Sequence, residues 1–99
     1  METIATAARL AEFIDHAAGV CIARHVVADI ALHLCTPRGS LVSISAETLD
    51  IWASRSALLS IAEELDFHLL ERKQYGDAMT LVFAPLPDLP DYMPTESGL

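Results

Sequence analysis

Apolar residues recur at helical intervals along the first fifth of the chain. Ile4, Ala7, Ala8, Ala11, Ile14 and Ala18 form one line over residues 3–18, and Leu10, Phe13 and Ala17 form a second beside it. An apolar band this wide predicts a leading helix that packs on the body of the protein, on a second copy, or on both. Gly19 is read as its stop. Ile22, Val26, Val27, Ile30, Ala31 and Leu34 keep the same period and predict a second helix, from about residue 20 or 23 to Leu34. Thr36-Pro37-Arg38-Gly39-Ser40 then breaks the pattern as a turn.

Beyond that turn the elements shorten. Leu41-Val42-Ser43-Ile44 reads as a brief extended run. Ser45 suits an N-cap, with Glu47 in the first turn of a short helix over about 46–53, where the helix dipole favours an anion. Ser54 is placed to cap a further helix over about 55–65. Residues 67–73 and 78–83, on either side of Tyr75-Gly76-Asp77, read as a hairpin. From residue 85 the composition changes. PLPDLPDYMPTESGL holds four of the five prolines, three acids and no base, and is expected to form an extended tail.

The stretch ASRSALLSIAEELDFHLLERKQYGDAMTLVF resembles the winged helix-turn-helix domains of bacterial transcription regulators. That resemblance implies a mostly α fold with a small antiparallel β-wing and an extra N-terminal helix. The domain would span 1–84, with the helix-turn-helix and wing at 41–83. It also implies a recognition helix presenting Arg55, Ser56, Leu59, Ser60 and Glu63, with Arg72 and Lys73 on the wing and Arg38 in a nearby loop. Arg55 would reach a base edge or a phosphate, Ser56 and Ser60 would donate to phosphates, and Arg38, Arg72 and Lys73 would hold the backbone.

Charge pulls the other way. The chain carries 14 acids against 6 bases, a net charge of −8, whereas affinity for nucleic acid rests on neutralised phosphates. One base on a recognition helix that also bears Glu63-Glu64 predicts weak binding. Two functions therefore follow. One is a small DNA-binding transcriptional regulator. The alternative is an acidic adaptor or inhibitor with no DNA binding of its own, which contacts a basic protein partner through Leu59 and through Leu10 and Phe13 of the leading helix. A homodimer through that helix is expected in either case.

The remaining chemistry is sparse. Cys21, His25, Asp29 and His33 fall four residues apart, but on a helix such steps drift around the axis, so no more than adjacent members share a metal. They are read as core and surface residues, with no metal or cofactor expected. No nucleophile elbow, phosphate-cradling glycine loop or CxxC pair is present, so no enzyme is expected. The start of the chain lacks the basic and apolar regions of a signal peptide, and no apolar run approaches a membrane span, so a cytoplasmic protein with reduced Cys21 and Cys35 is expected.

Overall fold

The computed structural model describes residues 4–86. Two helices, α1 (Ile4–Ala23) and α2 (Thr48–Glu64), accompany four strands: β1 (Asp29–Thr36), β2 (Gly39–Glu47), β3 (Phe67–Tyr75) and β4 (Ala78–Pro85). The strands form one antiparallel sheet in the order β1-β2-β4-β3. This is a mixed α/β architecture and not a mostly α winged helix with a small wing. The acidic tail expected over 85–99 falls, from residue 87 onward, outside the described residues.

Two misread segments account for the difference. Residues 29–36 are a strand, because Ile30, Leu32 and Leu34 alternate with Ala31 and His33 at the two-residue period of a pleated surface. Ile30, Ala31 and Leu34 also satisfy a helical template, and that ambiguity produced the expected second helix. The chain turns out of α1 at His25, whose φ of 57° is left-handed. Val26 N–H reaches back to the Cys21 carbonyl at 2.8 Å and His25 N–H to the Ile22 carbonyl at 3.1 Å. These two bonds are those of a Schellman cap built without glycine. Gly19, expected as the stop, is an exposed residue inside α1.

The second misreading concerns the expected helix-turn-helix. Residues 48–64 form one uninterrupted helix of 17 residues, with neither Gly nor Pro to break it. Ser45 lies in β2, where its hydroxyl bonds that of Thr80 at 2.7 Å. The start of α2 is instead tied to the β3–β4 turn: Thr48 N–H and Oγ1 both donate to the Asp77 carbonyl, at 2.8 and 3.0 Å. Ser54 begins no helix. It sits in the buried stripe Ile51, Ser54, Leu58, Ala62 and is 1% exposed.

The Ser54 hydroxyl is buried without a hydrogen-bond partner. A desolvated donor left unmade costs about 1–3 kcal/mol, and alanine is the better helix former. Ser54→Ala is therefore expected to stabilise the protein by about 1 kcal/mol in urea denaturation. A loss of stability would show that the hydroxyl is satisfied in solution.

Both helices pack on one face of the sheet. Because β2 and β3 each run antiparallel to β4, they are parallel to each other, and a crossover must join them. α2 supplies it, its length of about 26 Å matching a nine-residue strand of about 30 Å. Val42, Ile44 and Ala46 of β2 and Met79, Leu81 and Phe83 of β4 face the helices, meeting Ile51, Leu58 and Ala62 of α2 and Leu10, Phe13 and Ala17 of α1. Phe13 is fully buried, stacked on Phe67 at 4.4 Å and tilted against Phe83 at 5.1 Å. Among the described residues the opposite face carries no helix and a small apolar cluster of Leu41, Val82 and Ala84, with Leu70 against it.

Candidate protein-docking site

The six basic side chains test the DNA reading first. In the structure every one of them has a partner within the protein. Arg9 donates to the Asp66 and Leu86 carbonyls, at 2.7 and 3.3 Å, and Arg24 to the Ala53 carbonyl at 3.4 Å. Arg38 and Lys73 both pair with Glu71, at 2.7 and 3.2 Å. The guanidinium carbons of Arg55 and Arg72 lie 5.3 and 5.4 Å from the centre of the Trp52 ring.

Strand register sets these residues on opposite sides. Arg72 is paired with Leu81, a core residue of the helix-bearing face, whereas Lys73 is paired with Thr80 on the open face. Arg55 and Arg72 are thus gathered on one side, and Arg38 and Lys73 on the other. Ser56 and Ser60 are exposed along α2. No single face presents Arg38, Arg55, Ser56, Ser60, Arg72 and Lys73 together. Without a turn before Arg55 there is also no separate recognition helix to aim them.

The residues expected to meet a partner are also placed differently. Phe13 is interior and Leu10 is 2% exposed, while Leu59 is half-buried against the core. What lies open is a surface the sequence reading passed over. α1 packs on α2 and reaches across towards β4, and among the described residues this leaves the helix side of β1 open at Leu32 and Leu34, while Ile30 packs on the core. Leu32 and Leu34 lie there, 42% and 58% exposed. They face Ala7, Leu10, Ala11, Ile14 and Ala18 of α1 across a groove of about 490 Å³. Asp15 is the single charged residue among the described residues that line it.

β1 forms an outer edge of the sheet among the described residues, so one row of its backbone N–H and C=O groups has no described strand beside it. Its pairing with β2 is regular from Asp29 to His33 and shifts register before Thr36. Edge strands are usually blunted by charge, proline or a bulge. The other edge, β3, follows that rule, with Glu71-Arg72-Lys73 along it and a register shift between Leu69 and Glu71. β1 carries Asp29 as its one acid and has neither a lysine, an arginine nor a proline. Both edges thus carry a register shift, and they differ in charge: β3 has Glu71, Arg72 and Lys73 along its middle, whereas β1 has the single acid Asp29 at its start and none from Ile30 to Thr36.

Cys21, His25, Asp29 and His33 do not converge on a metal site. Cys21 is buried in α1, His25 is the helix cap, and Asp29 and His33 lie on β1. Among the described residues there is no group of three or more His, Cys, Asp or Glu that could hold an ion. Burial pushes the Cys21 thiol above its ordinary pKa, which keeps it protonated and unreactive. The side chain of Cys35 lies outside the described residues. No helix among the described residues is long and apolar enough to cross a membrane. In comparisons with known proteins, no family model, no curated protein and no solved structure matches the chain.

Proposed function

We propose that the chain is an acidic protein-binding adaptor that takes up an extended segment of a partner along the α1–β1 groove. The observation that carries this reading is the pairing of a strand edge that holds no lysine, arginine or proline with exposed Leu32 and Leu34. An incoming strand would gain backbone hydrogen bonds from β1, while its alternate side chains would enter the groove against Leu34 and Ile14. Main-chain pairing supplies affinity and the groove supplies choice of side chain. The net charge of −8, with Glu12, Asp15 and Asp29 exposed on the two elements that flank the groove, favours a segment that alternates apolar and basic residues. The six bases divide between two faces, so they offer no continuous positive surface to support DNA binding.

The test uses the full chain and a ten-residue peptide alternating valine and lysine, followed by amide hydrogen exchange. Binding is expected to slow exchange at the outward-facing amides of residues 29–34 and to leave β3 unchanged. Protection on β3 alone would overturn the reading, as would tight binding of duplex DNA at low salt with no response to peptide. A second copy of the chain is the competing occupant. Light scattering that shows a dimer, with β1 protected before any peptide is added, would assign the groove to self-association instead.

A further inference from the structure

The open face of the sheet holds a second concavity, on the side away from the groove. It measures about 390 Å³, within the range of small-molecule sites. Leu41, Ser43, Thr80 and Val82 line it together with His33 of β1, Arg38 of the β1–β2 turn, and Lys73 and Tyr75 of β3. His33 Nε2 and Ser43 Oγ are 3.0 Å apart. Arg38 crosses the face to reach Glu71 and so straps this end of the sheet.

The charge arrangement is specific. Arg38 Nη1 lies 2.7 Å from Glu71 Oε1, and Lys73 Nζ lies 3.2 Å from Glu71 Oε2. Each carboxylate oxygen therefore meets its own cation, and the Arg38 hydrogen bond foremost holds the Glu71 carboxyl below its ordinary pKa. Two cations against one anion leave a surplus positive charge, in a protein whose net charge is −8. Glu71 stands as an internal carboxylate in a clamp already shaped for one. Beside it Leu41 and Val82 offer an apolar floor, and Tyr75 an aromatic wall.

We infer that this face binds a small amphipathic carboxylate, its anionic head held by Arg38 and Lys73 in exchange for Glu71 and its apolar body on Leu41 and Val82. The inference is independent of the groove, since Leu32 and Leu34 point to the other side of β1 from His33. Hexanoate and benzoate are the probes, followed by amide chemical shifts in the full chain, with hexanol as the uncharged control. Saturable shifts are expected at His33, Ser43, Thr80 and Val82 for the acids and not for hexanol.

Two variants give the decisive signs. Arg38→Gln is expected to weaken binding about tenfold, the usual loss for one charge-assisted contact. Glu71→Gln is expected to tighten it about tenfold, because the competing carboxylate is gone. Glu71 is a surface ion-pair residue, so the variant keeps its fold. A purely structural role for Glu71 predicts the reverse, a loosened pocket that binds less. Weaker binding in Glu71→Gln, equal shifts with hexanol, or no saturable shift in either protein would each overturn the inference.

Discussion

Phe13→Ala is expected to destabilise the protein by about 3–5 kcal/mol, the range for removing a large buried aromatic. Phe13 is 0% exposed and holds α1 to the sheet through two ring contacts, on Phe67 and Phe83. Each such pair adds about 0.5–1.5 kcal/mol beyond the area it buries. A domain of this size has a total stability of about 5–15 kcal/mol, so the loss takes a large part of it. Urea denaturation followed by far-ultraviolet circular dichroism measures it directly. The midpoint should fall and should not depend on protein concentration, because both ring partners belong to the same chain. A loss below about 1 kcal/mol, or one that vanishes at high concentration, would place Phe13 at an interface between copies.

That outcome separates what was legible along the chain from what was not. The double apolar line of α1 was readable because its residues repeat at one period for four turns. The β3–β4 hairpin was readable because Tyr75-Gly76-Asp77 interrupts two extended runs, and Gly76 does adopt a left-handed φ of 59°. The turn at 36–40 was also placed correctly, with Gly39 at φ 90°. Local chemistry decides each of these. β1 was lost because Ile30, Ala31 and Leu34 fit both periods, and the sheet that selects between them lies elsewhere in the chain. α2 was divided because Ser54 resembles a cap. Only the spacing Ile51, Ser54, Leu58, Ala62, with no breaker among them, places it in the interior of one helix.

The proposed docking surface was less legible still. Leu10 and Phe13 were expected to face a partner because they are apolar residues on a terminal helix, yet the body of the protein covers them. Exposure at Leu32 and Leu34 depends on two non-local facts: β1 lies at an edge, and α1 crosses the sheet without covering these two residues. Neither of these is encoded within the eight residues of β1. The basic residues give the complementary case. Arg55 and Arg72 are 17 positions apart in sequence and share one ring, whereas Arg72 and Lys73 are neighbours and face opposite sides of the sheet.

Replacing Leu32 and Leu34 together by aspartate is expected to abolish peptide uptake while leaving the fold intact. Both side chains are substantially exposed, so the change removes little of the core. Surface substitutions shift stability by about 0.5 kcal/mol, and aspartate in a strand adds up to about 1 kcal/mol. Their value in a complex is larger. Full burial of a leucine contributes about 1.5–3 kcal/mol, and Leu32 and Leu34, 42% and 58% exposed, together offer about one leucine's worth of area, so losing both corresponds to roughly tenfold to a hundredfold in affinity. Two carboxylates placed under an incoming apolar side chain weaken binding further, because they would have to be buried without partners. The measurement is a peptide titration beside a thermal melt. A shift of only a few degrees in the melt, together with lost binding, supports docking at β1. Retained affinity would show that backbone pairing or another surface carries it. The paired variants Arg55→Ala and Arg72→Ala disturb the Trp52 stack on the far side of the helices and are expected to leave peptide affinity within about twofold, since that side lies away from the β1 edge. Loss of binding there, with the Leu32 and Leu34 variant unaffected, would move the docking site to Trp52.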